Sequence, residues 1–173
     1  AASTHDGEDI IILEAFKLIQ MAFPNALLLL VPRHPERFDK VAELIAKQGF
    51  SMARRSLKQA VSPSVAVFLG DSMGELLLWL ALGDVAFIGG SLVNVGGHNP
   101  LEPAALAVPI VTGLTMFNFQ QITDTLMAAG ALKQGSDSTS LARIVCDWLQ
   151  HPEQKQKDGA AGLDVVLAKR GAL

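Results

Sequence analysis

The chain repeatedly alternates a short, uninterrupted apolar run with a segment of helical periodicity. Residues 26–31, 65–69, 85–88 and 109–112 are apolar almost throughout, where a half-exposed strand would alternate apolar with polar. Such strands belong in a parallel sheet covered by helices on both faces. Helical patterns separate them over about 9–22, 36–47, 75–82, 101–108 and 118–129, and two more close the chain at about 138–149 and 152–169. Shorter strands are expected near 50–54 and 131–132. This order predicts an α/β fold, a Rossmann-like doubly wound parallel sheet, in a single domain spanning 1–173. Its start is unusual, because a parallel unit should open on a strand and Ala1-Ala2 is too little to form one. A frayed first sheet position is therefore expected, with a preceding strand and an N-terminal domain lying outside this chain.

In folds of this kind, ligands bind where the carboxyl ends of strands run into loops and helix N-termini. The richest such loop is Gly89-Gly90-Ser91-Leu92-Val93-Asn94-Val95-Gly96-Gly97-His98-Asn99-Pro100-Leu101-Glu102-Pro103. Asn99 and Pro100 suit an N-cap and first helical position, and the helix they open turns unpaired N–H groups and a positive dipole end toward the crevice. Gly96-Gly97 suggests a backbone that comes close to a ligand. Glu102, in the first turn, either complements the dipole or accepts from sugar hydroxyls. His98 is either a phosphate or sugar contact or a loop stabiliser.

Other polar clusters fall at equivalent positions. Arg33 directly follows a strand in Pro32-Arg33-His34-Pro35-Glu36-Arg37, where a guanidinium can hold a phosphate through paired bonds. Arg37 fits a surface ion pair as well as a binding role, and His34 a loop bond as well as a contact. In Asp71-Ser72-Met73-Gly74-Glu75, Ser72 and Glu75 have capping-box spacing, and Gly74 leaves room for a base or ribose. Ser3, His5 and Asn118 mark further strand ends. Together these predict a nucleotide-sugar site.

Composition removes other classes. A formal charge of −3 offers no basic face for nucleic acid. The four histidines lack metal-ligand spacing in sequence, and no nucleophile elbow, phosphate-binding P-loop or dinucleotide fingerprint is present. The single cysteine, Cys146, rules out an internal disulfide and sits in an apolar helical context that suits a structural thiol. No apolar run approaches the roughly 18 residues of a membrane span.

Several of these segments carry a resemblance. Ser3-Thr4-His5-Asp6-Gly7-Glu8, Pro32-Arg33-His34-Pro35-Glu36-Arg37-Phe38, Met73-Gly74-Glu75-Leu76, and Gly89-Gly90-Ser91-Leu92 with Gly97-His98-Asn99-Pro100-Leu101-Glu102-Pro103 resemble, in order, the C-terminal half of the bacterial Kdo transferases. The likeness covers the chain to about Ala131 and is specific as a combination. It implies the donor domain of a GT-B glycosyltransferase that transfers 3-deoxy-D-manno-octulosonic acid (Kdo) from CMP-Kdo to lipid IVA, with inversion, in lipopolysaccharide biosynthesis.

The resemblance further implies CMP contacts at Pro32, Arg33, Met73, Gly74, Glu75, Asn99, Pro100, Leu101 and Glu102. Ser3, His5, Gly97, His98 and Asn118 are possible further donor contacts. It implies no metal or cofactor and no catalytic residue in this chain, the general base and the acceptor site belonging to the N-terminal domain. The full-length protein would act at the cytoplasmic face of the inner membrane, and this fragment would be soluble. One departure is local: relatives tend to carry Gly-Pro-His where this chain has Gly113-Leu114-Thr115, which puts a donor contact there in question. A different nucleotide-sugar transferase or epimerase, or a noncatalytic nucleotide-binding domain, is the alternative.

Overall fold

The structure, a computed structural model, describes residues 1–171. Among the described residues, seven parallel strands form one sheet: β1 (Ala2–Thr4), β2 (Leu28–Pro32), β3 (Met52–Arg54), β4 (Val67–Leu69), β5 (Ala86–Ile88), β6 (Ile110–Thr112) and β7 (Leu132–Gln134). Their spatial order is β3-β4-β2-β1-β5-β6-β7. From β1 at the centre the chain builds one half of the sheet, crosses back beside β1 as β5, and builds the other half. The expected doubly wound α/β class is found.

Among the described residues, seven α-helices cover the sheet. On one face lie α1 (Glu8–Ala22), α2 (Phe38–Lys47) and α6 (Ser138–Gln150); Leu13, Phe16, Ile45 and Trp148 pack there against Leu30, Val67, Phe87 and Val111. On the other lie α3 (Leu76–Leu82), α4 (Leu101–Ala105), α5 (Gln120–Ala128) and α7 (Pro152–Gly171), where Leu80, Ala104, Leu126 and Val166 meet Ala86, Ile88 and Ile110. Neighbouring strand residues such as Phe87 and Ile88 thus serve opposite faces, which explains why the strands are apolar throughout.

Three sequence expectations change. The first strand is formed and central: β1 pairs with β2 and with β5, Ala2 standing opposite both Val31 and Ile88. Its three residues are all buried, so a strand of small and polar residues is held by its neighbours' ladders rather than by its own hydrophobicity. It is irregular at Ser3, whose φ of 60° shifts the register between Ala2 and Thr4. Helix α4 stops at Ala105 instead of reaching 108. Ala107 turns left-handed there (φ 57°), and Gly159 of α7 packs so close that a Cβ on it would lie 2.1 Å from the Ala107 carbonyl oxygen. The Ser72–Glu75 capping box is not made, because Ser72 Oγ donates to the Glu75 carboxylate, which is itself held by Arg55. Asn99 does cap its helix: its Oδ1 accepts from Leu101 N–H at 3.0 Å, with Pro100 in helical conformation between them.

Candidate nucleotide-binding crevice

At the carboxyl ends of β1, β2 and β5, beside the crossover point of the sheet, lies a crevice of about 370 Å³. Pro32 and Arg33 enter it from the end of β2, and Ser3 from the irregular turn of β1. Met73 and Gly74 close one side, and His98, Asn99 and Glu102 close the other at the N-terminus of α4. Three clusters lying 40 and 25 residues apart in sequence therefore share one wall-to-wall space. Among the implied contacts, Glu75, Pro100, Leu101, Gly97 and Asn118 stand next to crevice residues in sequence and do not line it, and His5, two residues beyond Ser3, does not line it either.

The charged groups at this end divide sharply. Arg37 pairs with the buried Asp9 and donates to the Thr4 carbonyl at 3.1 Å, so it ties α1 to β1 and takes neither the surface nor the ligand role. Arg54 bridges Asp39 and Asp71, and Arg55 grips Glu75 through two bonds of 3.1 Å. Asp71 feels burial, which would raise its carboxyl; the bonds from Ser56 and Arg54 outweigh that and hold it below the ordinary value. Arg33 is different. Its side chain is exposed at the crevice and pairs with no carboxylate among the described residues, while its backbone N–H is fixed to Thr4 at 2.9 Å. Glu102 likewise is half-buried with no protein partner for its carboxylate among the described residues. One unengaged guanidinium and one unengaged carboxylate facing the same space can take a phosphate and a sugar hydroxyl respectively.

The glycine-rich loop reaches this geometry by a route the sequence does not advertise. Glu8, fully buried in the first turn of α1, accepts the N–H groups of Gly90 (2.7 Å), Ser91 (3.2 Å) and Leu92 (3.0 Å), and that of His5 (2.9 Å). The N–H groups of Gly96 and Gly97 both go to the Gly90 carbonyl. These amides are thus committed within the protein. At the start of α4 Pro100 and Pro103 carry no N–H and Leu101 N–H goes to Asn99, so the Glu102 N–H is the first-turn donor left, among the described residues, to meet a ligand. The glycine pair also has an internal explanation. A Cβ on Gly96 would lie 2.5 Å from the Phe117 ring, and one on Gly97 2.2 Å from Met116 Sδ, so the close approach is to protein. Asn118 completes that packing by donating to the Val95 carbonyl at 3.1 Å.

Three histidines distant in sequence converge beside Arg33. His5 Nε2 and His98 Nε2 are 2.7 Å apart with rings nearly parallel, and the His34 ring meets His5 edge-on at 5.3 Å between centroids. Burial, then the neighbouring His5, Arg33 and His34, push His98 down to about 4; burial foremost holds His5 below its ordinary value. Among the described residues no three His, Cys, Asp or Glu side chains form a group that could hold a metal ion. His151 is exposed at the far end of α6, and Cys146 is half-buried against the core with its thiol pushed up by burial. Glu8 and the histidine cluster are the features sequence reasoning missed. Two acids opening an otherwise apolar helix, Glu8-Asp9, were the available signal for the first.

A larger cavity of about 660 Å³ sits at the opposite ends of the strands. Phe16, Leu28, Leu80 and Val145 make it apolar, and among the described residues Asn25, Asp84 and Trp79 are the lining residues with polar side-chain atoms. It offers no convergent charges. Among the described residues no helix is long and apolar enough to cross a membrane.

No family model matches the chain. It is 48% identical to the 3-deoxy-D-manno-octulosonic acid transferase of Haemophilus influenzae, over 100% of this chain and 41% of that protein. It is 37% identical to the enzyme of the same name from Bordetella pertussis, over 99% of this chain and again 41% of the relative. The chain thus spans about two fifths of the length of these curated relatives. A crystal structure of the C-terminal CMP-Kdo binding domain of WaaA from Acinetobacter baumannii superposes with a TM-score of 0.90 at 42% identity, covering 96% of this chain and 86% of that one.

Proposed function

The chain belongs to the 3-deoxy-D-manno-octulosonic acid transferase family, and on that premise we propose that it is the donor-binding domain of a glycosyltransferase that moves Kdo from CMP-Kdo to lipid IVA. The observation that carries this is the pairing of Arg33 and Glu102, both without protein partners among the described residues, across a crevice at the sheet's crossover point. Arg33 and the N-terminus of α4 hold the phosphate. Glu102 accepts from the ribose hydroxyls, and the Met73-Gly74 turn borders the base.

The rest of the enzyme's work is assigned to residues outside this chain. An N-terminal domain supplies the acceptor site and the carboxylate that takes the acceptor hydroxyl's proton, and attack opposite the departing phosphate inverts the anomeric centre. The leaving phosphate gains negative charge as its bond to the sugar breaks, so charge stabilisation at Arg33 and the helix end is this domain's contribution to rate. No metal or cofactor takes part in the proposed reaction. The full-length protein works at the cytoplasmic face of the inner membrane, and this chain by itself does not turn over CMP-Kdo.

A residue-resolved NMR titration with CMP tests the assignment. Shifts should concentrate at residues 32–33, 73–75 and 98–102, and CMP should displace UMP. Shifts confined to the apolar cavity, or none, would overturn it.

A further inference from the structure

Arg33 and His98 line the crevice, and three further nitrogen-bearing side chains sit behind them: His5 from the β1–α1 turn stacks on His98, His34 from the end of β2 meets His5 edge-on, and Arg37 ahead of α2 acts on His5 electrostatically. Two imidazole nitrogens 2.7 Å apart require one proton between them. With none, two lone pairs would face each other; with two, both N–H groups would point at one another. The His5–His98 pair in this state is one donor and one acceptor, without net charge.

The groups that face the pair explain why it carries no second proton. Glu8, His34, Arg37 and Arg33 act on His5, and His5, Arg33 and His34 act on His98. Glu8 is the one carboxylate among them, and its oxygens already accept four backbone N–H groups. Burial and cationic neighbours therefore both oppose an added proton. An anion placed beside Arg33 would reverse the electrostatic part of that balance, because it would neutralise the one guanidinium acting on both rings and attract an imidazolium.

We propose that the His5–His98 pair takes up one proton from solvent when the donor's phosphate enters beside Arg33, so that an imidazolium joins the guanidinium in holding it. This rests on the assignment of the crevice to CMP. It makes His5 and His98 part of the phosphate-recognition machinery, and it makes nucleotide affinity depend on pH through the protein.

The test uses this chain and cytidine 5′-methyl phosphate, a diester that keeps a single charge near neutrality, whereas the CMP monoester titrates near about pH 6 and would blur the count. Calorimetry in two buffers of different ionisation heat counts protons taken up on binding, and nitrogen-detected NMR reads the protonation of the His5 and His98 rings directly. Uptake approaching one proton per ligand is expected, with affinity rising by up to about tenfold for each pH unit lowered while the bound pair titrates. Cytidine should bring no uptake. His98→Gln should flatten the pH profile while retaining binding at alkaline pH, and Arg33→Ala should weaken binding at every pH. The NMR arm needs no variant, so a misfolded His98→Gln leaves it decisive. A flat profile with unchanged ring signals, or equal uptake with cytidine, would overturn the inference and leave the CMP assignment standing. No binding of the diester at any pH would overturn both.

Discussion

Glu8 Oε1 accepts the backbone N–H of Gly90 at 2.7 Å, joining the first turn of α1 to the loop after β5 across 82 residues of sequence. The same carboxylate takes the next two N–H groups of that loop and the N–H of His5, and none of it reaches solvent. A single side chain thereby sets the position of the loop that leads to His98 and Asn99.

Replacing Glu8 by Gln keeps the shape but brings an NH2 group against backbone donors and removes the charge that strengthens these bonds. A loss of roughly 2–3 kcal/mol of stability is expected, the scale of a buried charged hydrogen bond left broken. Urea unfolding of the two proteins measures it. The folded fraction should also bind CMP more weakly, because the wall carrying His98 and Asn99 has lost its anchor.

Two glycines separate the demands of packing from those of backbone conformation. A Cβ on Gly89 would lie 2.1 Å from the Ser3 carbonyl oxygen, a backbone atom of the central strand. Gly89→Ala should therefore cost about 3 kcal/mol or more, or prevent folding, since neither backbone can yield cheaply. Gly74 has a left-handed φ of 81° and nothing within 4 Å of its missing Cβ. Gly74→Ala should cost only about 1 kcal/mol, from backbone strain alone. Paired chemical-denaturation curves check the contrast.

Arg33→Ala removes a guanidinium with no carboxylate partner among the described residues. Its thermal midpoint should stay within about a degree or two of the wild type, whereas CMP affinity should fall on the order of a hundredfold, the worth of paired charge-assisted bonds to phosphate. Arg37→Ala should behave in the opposite way, unfolding readily because Asp9 would be left buried and unpaired. Calorimetric titration and thermal melts of the two variants distinguish the roles.

The acid limb of the stability curve has a specific source in His98. Burial and cationic neighbours hold it at about 4 in the fold against 6.5 in its absence, so the folded state favours the neutral ring. The unfolded chain binds that proton first as pH drops. Stability from this group is complete above pH 6.5 and declines as pH falls toward 4. Urea midpoints across that window should decrease, and less steeply in His98→Gln.

The sheet was legible because residues 26–31, 65–69, 85–88 and 109–112 are apolar on both faces, and only a doubly covered parallel sheet uses such strands. β1 was not, since Ala2-Ser3-Thr4 has no hydrophobic signature and owes its place to ladders with β2 and β5. A crevice does lie at the strand ends around Arg33, Gly74 and Glu102, where position in this fold class and residue type both pointed. What lay hidden was pairing between distant segments. Arg37 looks like any solvent-facing helix arginine until Asp9 is placed beside it, and Gly96-Gly97 looks made for a ligand until Met116 and Phe117 occupy the space. His5, His34 and His98 are spaced 29 and 64 residues apart, so no local pattern could announce that they touch.

The commitment of the Gly90, Ser91 and Leu92 amides to Glu8 has a kinetic meaning as well. A loop whose hydrogen bonds are already made has little to rearrange when a nucleotide arrives, so encounter with the crevice should be governed by diffusion and charge rather than by waiting for the wall to form. Differences among nucleotides would then reside in how long each stays, with the exposed Met73-Gly74 turn, free of such ties among the described residues, as the part that can still adjust around the base.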